Sequence, residues 1–151
     1  MKFLANCTVV VHLGRLRSSL LSEMGVVTTE SVRSEAGFLL DSAEFEKVFD
    51  GVEVLKAGRV RGSDKFLSDT DLELAFLAAK GNYVLVTDDK KLRSMVLKQG
   101  GKAVDLPRWI EFLSGREKLP KSEAITLLAR LEKAYNRKKD VRKVIARINK
   151  R

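Results

Sequence analysis

The stretch NYVLVTDDKKL, Asn82 to Leu92, sets an apolar run, Val84-Leu85-Val86, directly before a threonine and two adjacent carboxylates. Tyr83 to Thr87 reads as a strand, because β-branched and aromatic residues are bounded by polar ones. The segment after it reads as a helix. Asp88 and Asp89 therefore fall at the C-terminal end of a strand. Charge placed there is costly unless a helix N-terminus, a hydrogen-bond donor or a cation faces it.

Similar short runs recur on either side. Phe3-Leu4-Ala5 leads into Val9-Val10-Val11, Gly25 to Thr28 is β-branched, Val52 to Leu55 alternates, and Lys102 to Leu106 stops at Pro107. Helical patterns lie between them, over 8–23, 29–40, 42–50, 69–81, 89–99 and 108–115. Strands alternating with helices predict an α/β domain with a parallel, helix-covered sheet. No repeat or low-complexity segment interrupts it. Gly, Pro and a charge run meet in SGREKLPKS, Ser114 to Ser122. That marks the expected boundary between a domain over 1–114 and a helical extension over 121–151.

Composition excludes several classes. At 151 residues and 44% apolar, the chain suits one domain with a small appendage. No run approaches the ~18 apolar residues of a membrane span, so no membrane partner is expected. Met1 to Asn6 turns polar too soon for a secretory signal, and the cytoplasm is the expected compartment. Cys7 alone forms no internal disulfide, and His12 alone argues against Ser-His-Asp catalysis. Both suit core or helix positions. The net charge of +9 is concentrated: residues 115–151 hold 13 Lys/Arg against 4 Asp/Glu, and residues 1–114 balance. Such a tail favours a polyanion partner such as RNA, although a charge-rich helix is ordinarily just a solvated face.

Two further carboxylates sit on faces that should turn inward. In TTESVRSEAGFLL, Glu35 shares a helix face with Val32, Ala36 and Leu39. In LSDTDLELAFLAA, Asp71 shares a stripe with Leu74, Ala75 and Ala78. Each has an ordinary explanation. Ser68-x-x-Asp71 is a capping-box pattern, Glu35 could pair with an Arg, and Asp88-Asp89 could open a helix. One hard divalent cation, Mg²⁺ or Mn²⁺, would account for all of them at once.

Taken together, VVTTESVRSEA, LSDTDLELAFLAA and YVLVTDDKKLR resemble the PIN domain over about residues 2–113. The resemblance implies a three-layer α/β/α nuclease with a parallel sheet of about five strands. It also implies an acidic cluster that binds Mg²⁺ or Mn²⁺ and cuts RNA. The family's second, third and fourth acids fall on Glu35, Asp71 and Asp89, the expected catalytic and metal-binding residues, with Asp88 an additional acid. Ser68 and Thr87 would give polar support. One position departs from the pattern. The first strand of the family ends in Asp, and this chain has Asn6. An amide offers a metal only its carbonyl oxygen and no charge. Lost catalysis, residual activity and an engineered Asp→Asn change all fit that departure.

The reading is a metal-dependent endoribonuclease, impaired to the extent that Asn6 weakens ion binding. The alternative is an inactive PIN-fold RNA-binding or adaptor protein. A phospho-receiver-like switch fails, because its acidic pair should end the first strand. Lys90, Lys91 and Arg93 would meet RNA at the rim or simply start a helix. In the extension, Ile125, Leu128, Leu131 and Tyr135 form one apolar face, and Val141, Val144, Ile145 and Ile148 another. Arg142, Lys143 and Arg147 are the expected RNA contacts there. A dimer, or a protein partner such as an antitoxin in a VapC-like toxin pair, would use the apolar faces instead.

Overall fold

The computed structural model describes residues 2–56, 67–135 and 138–151. They form two compact units, Met1–Val104 and Asp105–Arg151. The first contains β1 (Lys2–Ala5), α1 (Cys7–Leu16), α2 (Leu20–Glu23), β2 (Val27–Thr29), α3 (Glu30–Leu39), α4 (Ser42–Phe49), β3 (Glu53–Leu55), α5 (Asp69–Ala79), β4 (Tyr83–Val86), α6 (Lys90–Lys98) and β5 (Lys102–Val104). The second contains α7 (Leu106–Gly115), α8 (Lys121–Tyr135) and α9 (Lys138–Asn149). Among the described residues, no helix is long and apolar enough to cross a membrane.

The five strands form one sheet in the order β3-β2-β1-β4-β5. Every neighbouring pair is parallel. Leu4, Ala5, Val84, Leu85 and Val86 are all buried, as expected of strands covered on both faces. From β1 the chain steps outward to β2 and β3; β4 and β5 lie on the other side of β1. Right-handed crossovers in opposite directions put α1 to α4 on one face and α5 and α6 on the other. The packing agrees, since α1 meets α3 and α4, while α5 meets α6. The result is the α/β/α sandwich the sequence predicts. The direction of progression reverses between β1 and β4, and at such a switch point α/β sheets leave a crevice beyond the strands' C-terminal ends.

Local departures have local causes. The helical span read over 8–23 is broken at Arg17, whose φ of −157° and ψ of 83° leave the helical region. Ser19 Oγ then donates to Glu23 at 2.9 Å. After the break, Leu20 and Leu21 of α2 are both fully buried. On α3, Val32 and Ala36 are buried as read, but Leu39 is 56% exposed. The helix ends there, and extended backbone at Leu40 turns that side chain inward instead.

In the second unit, α7, α8 and α9 pack pairwise. Asp105 caps α7 by accepting the Arg108 N–H at 2.9 Å, and Pro107 lies in its first turn. The buried face of α8 is Ala124, Leu127, Leu128 and Leu131. Ile125 and Tyr135 are only half-buried, so the face is rotated from the one read in the sequence. On α9, Val141, Val144 and Ile148 are buried. The polar break expected between these helices begins at residues 136 and 137, outside the described residues.

Arg147 ties α9 to α7. Its Nε and Nη2 donate to the two Glu111 carboxylate oxygens at 2.8 and 2.9 Å, and the Arg151 guanidinium stands 3.6 Å away. The Arg147 hydrogen bonds hold the Glu111 carboxyl below its ordinary value of 4.5. A depressed carboxylate stabilises the fold above that value and loses the contribution as pH falls through the folded pKa. Arg147→Ala should therefore lower stability at pH 7 by about 1 kcal/mol in urea titrations, a figure that allows for the half-exposed guanidinium. The gap to the parent protein should narrow as the pH drops below 4.5.

Candidate active site

The site begins where β1 and β4 end side by side. Ala5 pairs with Val86, so the next residues, Asn6 and Thr87, leave the sheet together. Asn6 is 5% exposed and caps α1, its Oδ1 accepting the Val9 N–H at 3.2 Å. That cap fixes the amide's orientation: Nδ2 faces Thr87 and donates to its Oγ1 at 2.7 Å. The same buried hydroxyl oxygen accepts the Asp89 N–H at 3.2 Å. On the other side of β1, Thr28 Oγ1 donates to the Ala5 carbonyl at 2.9 Å. Buried hydroxyls thus stitch the C-terminal edge of the sheet.

The carboxylates surround this edge, and each has a structural duty. Asp89 is exposed and caps α6, its Oδ1 accepting the Lys91 and Leu92 N–H groups at 2.9 and 3.2 Å. Asp71 is half-buried. Its N–H donates to Ser68 Oγ at 3.1 Å, so Ser68 caps α5, and hydrogen bonding from Ser68 favours the Asp71 carboxylate in return. Glu35 is exposed at the edge of its helix face, where Thr70 Oγ1 donates to Oε1 at 2.7 Å. Asp88 is half-buried beside Thr87.

These duties do not disperse the charge. The Asp71 carboxyl is raised above its ordinary value of 3.8, first by burial and then by the Asp89 and Glu35 carboxylates, with Ser68 opposing in part. Cys7, half-buried in the first turn of α1, has its thiol pushed up to about 11 by burial, Glu35 and Asp71. A helix N-terminus ordinarily favours thiolate; here the acids overcome it, and the thiol stays protonated at neutral pH. Asp71 thus lies within the field of Asp89 and Glu35, and Cys7 within that of Glu35 and Asp71. Among the described residues, no three His, Cys, Asp or Glu side chains stand close enough to grip one ion as they lie. The donor set, all carboxylates and hydroxyls, nevertheless has the chemistry that Mg²⁺ or Mn²⁺ takes, in part through water.

The sequence reading missed one carboxylate altogether. Glu73 is buried on α5, accepting hydrogen bonds from Thr29 and Ser31 at the start of α3. Its carboxyl is raised, mainly by burial. A signal was available: Glu73 stands among Leu72, Leu74 and Ala75, and all four consecutive residues are buried. With Thr70–Glu35, this contact fastens α5 to α3 at two points.

The basic residues divide. Lys90 and Lys91 are exposed at the start of α6. Arg93 is half-buried and donates to the Thr87 carbonyl at 2.8 Å. In the second unit, Arg142 reaches Glu132 at 3.1 Å and Arg147 is held by Glu111, whereas Lys143 is exposed.

No family model and no curated protein matches the chain. A solved structure does: a PilT N-terminus (PIN) domain protein from the hyperthermophilic archaeon Sulfolobus solfataricus P2. It matches with a TM-score of 0.57 and 20% identity, covering 72% of this chain and 89% of that one. The chain has a PIN-type fold. At this identity the likeness concerns architecture: the five-stranded parallel sheet and the helices that cover it. It accords with the fold expected from the three sequence stretches that carry Glu35, Asp71 and Asp89.

In this PIN-type fold, the raised Asp71 carboxyl carries a stability cost. The folded state disfavours its ionised form, so its contribution falls as pH rises through the shifted value. Asp71→Asn keeps an acceptor for Ser68 and removes the charge. It should melt at a higher temperature than the parent protein at pH 7. That advantage should vanish below pH 3.8, where Asp71 is protonated in the parent as well.

Proposed function

We propose that the protein is a metal-dependent endoribonuclease of the PIN type, with activity lowered by Asn6. The observation that most supports this reading is the Asp71 carboxyl, raised by burial and then by the nearby Asp89 and Glu35 carboxylates. Three helices bring three carboxylates to the switch point of the sheet, and the innermost resists ionisation. Charge gathered at the switch point of such a sheet marks functional sites more often than surface at large. In this reading Glu35, Asp71 and Asp89 hold Mg²⁺ or Mn²⁺ directly or through water, with Asp88 beside them. The ion, when bound, supplies charge neutralisation at the scissile phosphate and an activated water.

The chain's own residues set the geometry. Ser68 orients Asp71, and Thr70 orients Glu35. Thr87 fixes the first turn of α6, and with it Asp89. Lys90 and Lys91 stand where an RNA backbone would pass the acids. A VapC-type toxin or an RNA-processing enzyme would use the site alike.

Asn6 is the departure that weakens it. Its carbonyl oxygen is taken by Val9 and its nitrogen presents a donor to Thr87. Asp at this position would cap α1 equally well. It would also accept from the Thr87 hydroxyl, reversing one hydrogen bond and adding a negative charge at the end of β1. The same buried amide favours the second reading, a non-catalytic RNA-binding or adaptor protein, since a satisfied amide leaves less field for a cation.

Two measurements separate these readings. Mn²⁺ at about 100 times its Kd should stabilise the protein by about 2.7 kcal/mol, and Asp89→Asn should abolish the effect. Asn6→Asp should raise Mn²⁺-dependent cleavage of a panel of structured and single-stranded RNAs by about tenfold, the scale of change seen when groups supporting a metal are altered. A folded Asn6→Asp protein that neither binds Mn²⁺ nor cuts any RNA would leave the adaptor reading standing.

A further inference from the structure

The basic face of α9 is not uniform, and its division points to a surface that the acidic site does not explain. The second unit, residues 105–151, holds 14 Lys/Arg against 6 Asp/Glu. Several of its arginines have acidic partners: Arg108 with Asp105, Arg142 with Glu132, and Arg147 and Arg151 with Glu111. Arg116 lies over the Phe112 ring, 5.3 Å from its centroid. Lys139, Lys143 and Lys150 differ. All three are exposed, and none joins an ion pair among the described residues.

Helical geometry collects them. At 100° per residue, Val141, Val144 and Ile148 define the buried side of α9. Arg142 falls on one flank, beside Glu132 of α8, and Arg147 and Arg151 on the other, beside Glu111 of α7. Lys139, Lys143 and Lys150 fall on the side opposite the buried residues, with Ala146 the small residue among them. The stripe spans about 16 Å along the axis.

We propose that Lys139, Lys143 and Lys150 form a docking stripe for the phosphodiester backbone of RNA, and that the neighbouring arginines are structural. The identity of the polyanion rests on the nuclease reading; the stripe itself does not. Lysine is a compact, mobile point charge that contacts phosphate without demanding a fixed geometry, whereas arginine's planar fork suits the bidentate carboxylate contact that Arg147 makes. No aromatic side chain lies on the stripe to stack a base, so it follows backbone charge and ignores sequence.

The test is fluorescence anisotropy with a short single-stranded RNA of mixed sequence. EDTA is present throughout, so that binding is read without metal and without cleavage. The triple variant Lys139→Gln, Lys143→Gln, Lys150→Gln should weaken binding at low salt. It should also flatten the plot of log K against log salt by about 0.7 for each phosphate no longer neutralised, hence by about 2 in all. Lys→Arg at the same three positions should preserve the slope. Arg142→Gln with Arg147→Gln should lower the melting temperature and leave the slope unchanged. A triple Gln variant with unchanged melting temperature and unchanged slope would overturn the proposal. So would an unaltered protein that binds poly-glutamate through these lysines but not RNA, which would make the occupant an acidic polypeptide. In a separate assay without EDTA, absence of Mn²⁺-dependent RNA cleavage by the unaltered protein, with the salt slope as expected, would count against the nuclease reading alone.

Discussion

Four consecutive residue pairs, from Lys2 with Tyr83 to Ala5 with Val86, hold β1 beside β4 in parallel. Much of the first unit follows from that pairing. It puts the two central strands next to each other although some eighty residues separate them. It also sends the crossovers on either side to opposite faces. Because the strands end in register, Asn6 and Thr87 emerge together, and their side chains can meet in one buried hydrogen bond at 2.7 Å. α1 starts from Asn6 and α6 from Asp89, so the first turns of both helices are positioned from this edge. A slip of one residue would turn every side chain of the strand to the other face and part Asn6 from Thr87.

Around this edge, structural and electrostatic roles fall on the same atoms. Asp71, Asp89 and Glu35 each accept a hydrogen bond that helps the local fold. Asp89 and Glu35 also add to the field that Asp71 bears. Caps alone would not require three carboxylates to converge, since helix starts elsewhere in the chain are capped with fewer: Asp105 serves α7 alone, and Asp41 with Glu44 serves α4. Convergence at the switch point is what distinguishes the cluster. The hydroxyls of Thr28, Thr70 and Thr87 meet the polar groups nearby, so burial there leaves bonded rather than stranded atoms.

Much of this was legible in the residues. The run Val84-Leu85-Val86 before Thr87-Asp88-Asp89 identified both a central strand and the end that carries the acids. The alternation of short runs pointed to the parallel sheet, and Ser68-x-x-Asp71 to the cap. What escaped was set by contacts between distant segments. Nothing near Asn6 in sequence reveals that its amide meets Thr87. Arg147 and Arg142 look like a solvent-facing basic face until Glu111 and Glu132 are seen opposite them. Glu73 lies off the Asp71-Leu74-Ala75-Ala78 stripe, and its burial comes from the start of α3, a segment some forty residues away in sequence. Leu39 and Leu40 exchanged places because the helix ended one residue before the apolar pattern did.

Three carboxyls respond to acid in opposite ways. Asp71 and Glu73, two residues apart on α5, both have carboxyls raised mainly by burial. Each takes up a proton more readily folded than unfolded, so mild acidification strengthens the folded state of the first unit through these groups. Glu111 is held down by Arg147, and acidification removes what it contributes to the second. A proton taken up by Asp71 or Glu73 thus adds to stability, while one taken up by Glu111 removes an arginine contact, so the same acidification acts with opposite sign at α5 and at the α7–α9 contact.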